Sequence, residues 1–556
     1  MKVIIVGGVA GGASAAARLR RLDERAEIII LERGDYISFA NCGLPYFIGG
    51  EITDKRLLTL QTPESFKARF NIDVRVNNEA ITIDKDRKVV VVKDRIKDEV
   101  YEESYDKLIL SPGAEPIRPS INGINSDTVF TLRNIPDTYK IKDYVDNNKP
   151  SSAVVVGGGY IGVEMAENLK KAGLEVSIVE LADHLIAPLD IDMAADVHRY
   201  IKSKGIKIYL NNGVKEINGH KIILQKGEIE TDMIIMSVGV RPETEFIIDS
   251  GITLNDRRSI VVDSHMQTNV EDIYAVGDAI EVKDFVSGKT AFIPLAGPAN
   301  KQGRIAADNI CGLDSCYTGT QGSAVLKLFD MTVATTGINE KTAKATGIDY
   351  DKTYTYSASH ASYYPGAKNM SIKAIWDKES LKILGAQIVG YDGVDKRMDV
   401  LATAIRFGAK ITDLTNLELC YARPYSSAKD PVNMLGYVAE NIVTGKIKQF
   451  FWEDVDRLPR DGSVTLLDVR TKTEVSRGKI DGFIHIPLDS LREHLDEIPK
   501  ENPVYVHCHS GLRSYIACRI LYGNGYECYN LAGGYRLYES VINECTVPEY
   551  ICTECK

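Results

Sequence analysis

The sequence predicts an α/β protein of several domains, and three observations support this. Two segments, 1–34 and 151–181, repeat the order strand, glycine-rich turn, helix, strand. A third α/β pattern with its own apolar strands begins near residue 459. The chain has 556 residues and 44% hydrophobic content, so it is too long for a single core and too apolar for disorder.

The first strand–turn–helix unit contains the glycine-rich loop GGVAGG. Gly7 and Gly12 fit the outer places of the G-x-G-x-x-G dinucleotide fingerprint, whereas Val9 takes the middle place and its neighbours supply the flexibility. Glu32 ends the second strand, where a carboxylate can accept a hydrogen bond from a ribose hydroxyl. The candidate cofactor residues are Gly7, Gly8, Gly11, Gly12 and Glu32, with Gly277 and Asp278 at the end of a later strand in TNVEDIYAVGDA.

The second strand–turn–helix segment, at 151–181, matches every position of the G-x-G-x-x-G fingerprint. Gly157, Gly159 and Gly162 lie between a strand and a helix, and Glu180 takes the acid position. Because a carboxylate repels a 2′-phosphate and the following LADH has no arginine, we expect NADH, with NADPH as the alternative. A bound flavin and an exchanging nicotinamide explain two loops better than duplication does. The sequence therefore predicts two Rossmann-like dinucleotide-binding domains.

Two cysteines lie where a nucleophilic thiolate is favoured. Cys42 in SFANCGLPY is expected to open a helix whose N-terminal amides lower the pKa of the thiol. No second cysteine lies within four residues, which excludes an internal dithiol. Cys508 begins CHSGLR, a loop that runs into a helix, where backbone amides and Arg513 stabilise a thiolate or persulfide anion. The pair indicates sulfur redox chemistry.

Residues 1 to about 445 resemble the coenzyme A disulfide reductases, single-cysteine members of the FAD and NAD(P)H disulfide reductase family. The matching segments are GGVAGGASAA, SFANCGLPY, GGGYIGVEMAE, TNVEDIYAVGDA, HASYYPGA and CYARPYSSAKDP. NADH oxidases and NADH peroxidases, which cycle one cysteine through a sulfenic acid, are similar to the same segments. The resemblance implies an α+β dimerisation domain after the nucleotide-binding domains.

The resemblance also implies residue roles. Cys42 would attack the substrate sulfur beside the flavin, and Asp278 would bind the ribityl chain of FAD. Tyr363 and Tyr421 match active-site tyrosines that reach the flavin from the partner subunit of a homodimer, although each is alternatively an ordinary core or interface tyrosine. The implied coenzyme A contacts are Ser14, Arg18, Arg21, Ser38, Asn41 and Lys429.

Five positions bear on the substrate. Arg18 and Arg21 are spaced i, i+3 and share one helix face, so they can meet a ligand's phosphates together. Val9 and Ala10 stand where the oxidases place a catalytic histidine, which weakens the oxygen-reducing interpretation. The resemblance allows a histidine at the position of Asn300, so the pocket is not expected to be a copy of a relative's.

The C-terminal α/β pattern resembles a rhodanese, a sulfurtransferase that carries sulfane sulfur on cysteine. CHSGLR matches the active loop, and LLDVR, with Asp468 and Arg470, matches the start of the fold. The alternative is a non-catalytic interaction module, although such modules commonly lack the cysteine. Cys518 is expected in the core. The tail, with Cys545 and CTEC at 552–555, carries no core pattern and lacks the ligands of a closed metal site.

The predicted domain boundaries follow from these segments. They are a FAD-binding domain in two parts (1–110 and 246–324), an NAD-binding domain (111–245), a dimerisation domain (325–445), a linker (446–458), a C-terminal rhodanese-like α/β domain (459–545) and a tail (546–556).

The expected function is NADH-dependent reduction of coenzyme A persulfide, polysulfide or coenzyme A disulfide, coupled to the rhodanese domain. The alternatives are an NADH oxidase and a persulfide-sensing scaffold protein. A net charge of -10 argues against nucleic-acid or membrane-surface binding. No signal peptide or apolar run of about 20 residues is present. We therefore expect a cytoplasmic protein whose ten cysteines form no structural disulfides.

Overall fold

The computed structural model describes residues 1–546, with the side chains of 545 and 546 excepted. Residues 547–556 of the predicted tail, with Cys552 and Cys555, and the side chain of Cys545 lie outside the described residues. The chain forms two compact units, one of residues 1–182 and 205–322 and one of residues 183–204 and the chain from 323 onward.

The first unit contains a parallel sheet with the strand order of a Rossmann fold. Near-continuous apolar runs such as KVIIV and EIIILE build it, as expected for strands that are covered on both faces. The order is Asp73–Val76, Glu27–Glu32, Lys2–Val6, Lys107–Leu110, Ile273–Ala275. The helices Ala10–Leu22, Pro63–Phe70 and Ala296–Ile310 accompany it.

A second parallel sheet follows the same plan. Its order is Lys207–Tyr209, Glu175–Val179, Ser152–Val156, Met233–Met236, Val129–Phe130, with the helices Ile135–Asn148 and Tyr160–Lys171. The two predicted Rossmann-like folds are thus confirmed. Antiparallel additions are Asn78–Asp84, Val89–Asp94 and Glu99–Ser104; Val214–Asn218, Lys221–Leu224 and Glu228–Glu230; Ala114–Pro116 with Val240–Pro242; and Val282–Lys283 with Thr290–Ala291. Short helical segments are Asn41–Gly43, Leu44–Ile48, Lys55–Leu58, Glu245–Ile247 and Gly277–Ala279.

The second unit begins with the predicted α+β domain. Its antiparallel sheet has the order Ala324–Leu328, Met331–Gly337, Ile383–Gly390, Asn369–Asp377, Tyr350–Ala358. The helices are Glu340–Thr346, Val394–Arg406 and Pro431–Val443, with the short helical turn Ile411–Asn416.

Residues 183–204, with the helix Ile191–Ser203, group with this second unit, although the sequence interpretation placed them inside 111–245. Buried charges explain the difference. Lys373 is fully buried and pairs with Asp190 at 2.8 Å and Asp192 at 2.7 Å, and Glu340 also contacts its ammonium group. An ammonium ion cannot be buried without such partners, so this segment is fixed to the antiparallel sheet.

The C-terminal domain is a parallel sheet with flanking helices. Its order is Lys448–Phe450, Cys528–Leu531, Val504–His507, Thr465–Asp468, Ile484–His485. Its helices are Lys472–Val475, Leu512–Gly523 and Gly534–Thr546, with the turns Trp452–Arg457, Leu488–Glu493 and Leu495–Glu497. The stretch 446–458, expected as a linker, therefore supplies an edge strand and a helical turn to this domain. The sequence did not indicate this strand because most of its residues are polar. An edge strand needs only one buried apolar residue, here Phe450.

Among the described residues, no helix combines the length and the apolar character needed to cross a bilayer.

Candidate active site

The first glycine loop is a turn that only glycine can make. Gly7 has φ +93°, and a Cβ there would lie 2.0 Å from the Ser111 carbonyl oxygen. A Cβ on Gly12 would lie 2.0 Å from the Gly7 oxygen, so the first turn of the helix Ala10–Leu22 packs directly against the glycine turn. Glu32 accepts hydrogen bonds from the amides of Gly8 at 3.0 Å and Gly34 at 2.9 Å. This places its carboxylate at the edge of the turn, where a dinucleotide ribose fits.

Two further predicted cofactor residues lie near this loop. A Cβ on Gly11 would lie 2.9 Å from Val276, which directly precedes Gly277. Gly277 donates its amide to Gln302 at 2.8 Å and leads into the short helical turn that holds Asp278. Burial raises the pKa of Asp278, while Arg133 opposes that shift. The loop and the Gly277–Asp278 turn thus meet at one end of the first sheet, as a bound FAD requires.

The second loop repeats the arrangement. A Cβ on Gly162 would lie 2.0 Å from the Gly157 oxygen, whereas a Cβ on Gly159 would meet nothing within 4 Å. The open face at Gly159 leaves room for a pyrophosphate against the backbone. Glu180 accepts from the amides of Gly158 at 2.5 Å and Ala182 at 2.8 Å.

Cys42 lies in the helical turn Asn41–Gly43, immediately before the short helix Leu44–Ile48, and its side chain is exposed. The expected lowering of its pKa is not found. Desolvation of the thiol raises the pKa, and the carboxylates of Glu164 and Asp278 raise it further. A helix of little more than one turn offers too few aligned amides to offset these effects.

Glu164 is an unexpected neighbour of this thiol. It lies on the helix Tyr160–Lys171, and the Tyr46 hydroxyl is 3.5 Å from its Oε1. Burial, followed by the charge of Glu167, raises the pKa of Glu164 to about 7. This carboxyl group therefore changes its charge near neutral pH.

A cavity of about 400 Å³ gathers most of the residues that the resemblance assigned to coenzyme A. Ser14, Arg18, Arg21 and Ser38 line it. Arg69 and Arg304 also line it and were not singled out in the sequence. Their side chains come from separate helices, so their convergence depends on the fold.

Side-chain contacts hold two of the lining residues in place. Ser14 Oγ donates to Asn300 Oδ1 at 2.8 Å, and Arg18 pairs with Asp308 at 2.6 Å. Asn41 does not line the cavity; its amide, once oriented to satisfy both partners, hydrogen-bonds the backbone oxygen and guanidinium of Arg133 at 2.9 and 2.8 Å.

Tyr363 and Tyr421 lie together on the second unit. Their hydroxyl oxygens are 3.3 Å apart, and both rings are exposed. Hydrogen bonds to Tyr421 and Arg423 lower the pKa of Tyr363, and the same tyrosine pair raises the pKa of Tyr421. The second unit thus presents a pair of phenols in which one ionises more readily than the other.

A buried arginine stabilises the loop that contains Tyr421. Arg397 is buried, pairs with Asp430 at 3.0 Å, and donates to the Ser359 and Tyr425 oxygens at 2.8 and 3.3 Å. Lys429 is exposed beside Asp430 on the same loop.

Cys508 lies at the floor of a loop whose donors point at sulfur. Gly511 donates its amide to Sγ at 3.1 Å, and Ser514 donates its hydroxyl at 3.2 Å. Arg513 forms two hydrogen bonds with Glu474 at 2.8 and 2.6 Å, and the pKa of Arg513 is raised first by Glu474 and also by the nearby Cys508. The loop is therefore built for an anionic sulfur.

Other residues of this domain are structural. Asp468 and Arg470 form a buried ion pair at 2.8 Å, and Arg470 also donates to the Gly478 oxygen at 2.8 Å. Cys518 is 1% exposed in the core, which confirms the expectation for it.

Comparisons with known proteins identify the family. Residues 1–303 match the pyridine nucleotide-disulphide oxidoreductases, residues 323–429 match the dimerisation domain of those proteins, and residues 452–540 match the rhodanese-like domain. The chain belongs to the pyridine nucleotide-disulphide oxidoreductase family. This family implies FAD and NAD(P)H as cofactors, and the glycine turns fit both.

Similar proteins cover most or nearly all of the chain. A coenzyme A disulfide reductase of Staphylococcus epidermidis is 40% identical over 443 residues, which are 79% of this chain and 100% of the relative. The structure of reduced Bacillus anthracis CoADR-RHD is 51% identical, with a TM-score of 0.96 over 98% of each chain. A NAD-dependent persulfide reductase from A. fulgidus is 36% identical, with a TM-score of 0.90 over 97% of this chain and 100% of the other. The resemblance predicted from the sequence is thereby confirmed.

Proposed function

We propose that this protein is a FAD-dependent NADH:coenzyme A persulfide, polysulfide or coenzyme A disulfide reductase, and that its rhodanese domain carries sulfane sulfur. The observation that carries the proposal is the arginine-lined cavity of about 400 Å³ in the unit that also holds Cys42. The names of the similar reductases, one acting on coenzyme A disulfide and one on persulfide, support the same substrate class.

The cavity suits the phosphorylated nucleotide end of coenzyme A. Arginine guanidinium groups bind phosphate oxygens through paired hydrogen bonds. Arg18, Arg21, Arg69 and Arg304 concentrate positive charge in a protein whose net charge is -10. A neutral or cationic substrate would gain nothing from them.

Cys42 is the proposed nucleophile. Its thiolate attacks the sulfur–sulfur bond, forms a new bond to one sulfur and expels the other as coenzyme A thiolate or hydrosulfide. FAD, when bound, supplies the electron pair that it receives from NADH. That pair and one proton return the Cys42 adduct to thiolate and release the second product as a thiol or hydrosulfide. No thiol lies within four residues of Cys42, so in this proposal the release proceeds without a neighbouring cysteine.

Glu164, whose carboxyl group lies 3.5 Å from the Tyr46 hydroxyl, sets part of the negative charge near the Cys42 thiol. Below a pH of about 7, Glu164 is mostly protonated and does not repel a thiolate on Cys42. Above that pH its charge, with that of Asp278, opposes the thiolate. The chain's own groups therefore favour a Cys42 that becomes anionic only when a substrate or cofactor stabilises it.

In the rhodanese domain, Cys508 is proposed to hold a persulfide in the cradle of the Gly511 amide and the Ser514 hydroxyl. Fusion keeps both sulfur sites at a high effective concentration, which favours persulfide over plain disulfide as substrate. We also propose a homodimer in which Tyr363 and Tyr421 of one protomer serve the flavin site of the other. The match to the family's dimerisation domain supports this.

The test measures NADH consumption with coenzyme A persulfide and with coenzyme A disulfide. Three forms are compared: the wild type, Cys508→Ala, and Cys420→Ser as a control for an exposed thiol elsewhere. We expect a preference for the persulfide that Cys508→Ala reduces and Cys420→Ser leaves intact. Equal turnover of the disulfide with no effect of Cys508→Ala would contradict the coupling. Oxygen consumption that matches NADH loss without any sulfur substrate would instead identify an oxidase.

A further inference from the structure

A cluster of metal-ligating side chains lies at the C-terminal end of the helix Ala296–Ile310, apart from the cysteine and the cavity described above. His265 Nε2 is 2.9 Å from Asp314 Oδ1 and 3.4 Å from Cys316 Sγ. All three ligand atoms lie within 4.8 Å of one another. Imidazole nitrogen, carboxylate oxygen and thiolate sulfur are the donor types of zinc sites.

We propose that His265, Asp314 and Cys316 bind a divalent transition metal ion, with Zn²⁺ the best match and water in the fourth position. Zinc bonds of about 2.0–2.2 Å to nitrogen or oxygen and about 2.3 Å to sulfur place tetrahedral donor atoms about 3.4–3.6 Å apart. The His265–Cys316 separation of 3.4 Å fits this range, whereas His265 and Asp314, now at hydrogen-bond distance of 2.9 Å, move apart by about 0.5 Å when an ion enters between them. His265 is half-buried while Asp314 and Cys316 are exposed, so an ion enters from solvent and displaces one proton from the thiol.

A second carboxylate lies near the other ring nitrogen of His265, and the Ser264 hydroxyl oxygen is 3.4 Å from the same Nδ1 atom. Asp263 Oδ2 lies 3.8 Å from His265 Nδ1, and Asp263 Oδ1 accepts the backbone amides of His265 at 2.8 Å and Gln267 at 2.9 Å. A carboxylate behind a ligating imidazole selects the tautomer that offers Nε2 to the metal.

The two loops that supply the ligands are tied together without the metal. The Asn309 amide nitrogen donates to the oxygens of His265 at 3.0 Å and Ser315 at 2.8 Å, and its oxygen accepts the Ser315 amide at 3.0 Å. The Tyr317 amide donates to the Ser264 oxygen at 2.7 Å. The donors are therefore held at fixed positions before an ion binds, which lowers the ordering cost of binding.

The same loop supports the cavity. Ser315, between the two ligands, donates its hydroxyl to Asp308 Oδ2 at 3.1 Å, and Asp308 Oδ1 holds Arg18 at 2.6 Å. A metal at this site would brace the loop that positions Arg18.

The test is equilibrium dialysis of the chelator-treated flavoprotein against Zn²⁺, with bound metal measured per chain. A parallel titration with Co²⁺ reports thiolate ligation through its visible d–d absorption. The variants are Cys316→Ser, His265→Gln and Asp263→Asn. The controls are Cys420→Ser and, for the tail, Cys552→Ser. Flavin content and thermal midpoint verify folding, and neither readout depends on catalysis.

We expect about one ion per chain, lost in Cys316→Ser and His265→Gln, and retained in both controls. Asp263→Asn should weaken binding about 10- to 100-fold, since it removes only the group behind the histidine. Unchanged binding in Cys316→Ser, whose exposed side chain tolerates replacement, would overturn the proposal. So would loss of the cobalt signal in Cys552→Ser alone, because the metal would then belong to the tail.

Discussion

Ser514 Oγ donates to Cys508 Sγ across 3.2 Å, and both side chains are almost completely buried. Together with the Gly511 amide, this hydroxyl provides neutral dipoles directed at sulfur. Arg513, which the sequence suggested as the stabilising cation, has its guanidinium engaged by Glu474. Charge on a persulfide would therefore be held at short range by dipoles and at longer range by the Arg513–Glu474 pair.

Ser514→Ala should slow sulfur transfer by the rhodanese domain about 10- to 100-fold. The reason is that a hydrogen bond to a charged sulfur contributes about 1.5–3 kcal/mol. Thiosulfate-to-cyanide sulfur transfer measures the effect. The exposed Ser476→Ala, in the same domain, is the matched control. Equal rates for Ser514→Ala and the control would show that the hydroxyl has no part in holding the anion.

Glu164→Gln should lower the pKa of Cys42, because one of the two carboxylates that oppose the thiolate is removed. At pH 8 the Cys42 peptide should be alkylated faster than in the wild type, and near pH 5 the rates should converge because Glu164 is already protonated. Mass spectrometry of the peptide measures this. Glu175→Gln, at an exposed strand position, controls for lost charge. A rate at pH 8 no faster than that of the control would refute the link.

The same substitution has a stability consequence. The pKa of Glu164 is raised in the folded protein from 4.5 to about 7. The unfolded chain loses this proton at lower pH, so the wild type loses stability as pH rises from about 4.5 to about 7 and then levels off. The thermal midpoint of Glu164→Gln should thus exceed that of the wild type above neutrality and approach it near pH 4.5. A difference independent of pH would point to packing instead.

Arg69→Ala and Arg304→Ala should each raise the KM for coenzyme A substrates about tenfold with little change in kcat. Each removes a proposed phosphate contact that would be the same in the ground and transition states. Lys301→Ala is the control, since Lys301 is exposed on the same helix as Arg304 but does not line the cavity. If Lys301→Ala produced an equal rise in KM, general electrostatic attraction would explain the cavity's charge.

Lys373→Met should destabilise the protein by about 3–5 kcal/mol, because it leaves Asp190 and Asp192 buried without their cation, although Glu340 keeps its ion pair with Lys352 at 3.0 Å. Urea unfolding measures this loss. Lys378→Met, on the exposed turn after the same strand, is the control and should change the free energy of unfolding by less than about 0.5 kcal/mol. A small effect of Lys373→Met would mean that the carboxylates take up protons or water in place of the ammonium group.

The sequence predicted those site features that depend on residues close together in the chain. The two glycine turns, the acids Glu32 and Glu180, and the positions of Cys42 and Cys508 before helices could be read from consecutive residues. Arg69, Arg304 and Glu164 could not, because each reaches its site from an element distant in sequence, and a lone arginine or glutamate has no spacing signal. The spacing of Arg18 and Arg21 indicated a phosphate site. It did not identify Arg69 and Arg304 as further residues that line this site.

The misplaced segments have a different cause. Residues 183–204 read as part of one nucleotide-binding domain because they lie between two of its strands, but the buried Lys373 recruits Asp190 and Asp192 to another sheet. The pKa of Cys42 was expected to fall because a helix begins beside it, yet desolvation of the thiol and two carboxylates outweigh a helix of five residues.

The strand Lys448–Phe450 matters to anyone who wishes to excise the sulfurtransferase module. A fragment that starts at residue 459 would strip this strand from its neighbour Cys528–Leu531 and leave that neighbour's backbone groups open to pairing with other molecules. Arg519 also donates to the Lys446 oxygen at 2.5 Å. A truncation intended to stay monomeric should therefore begin upstream of Lys446.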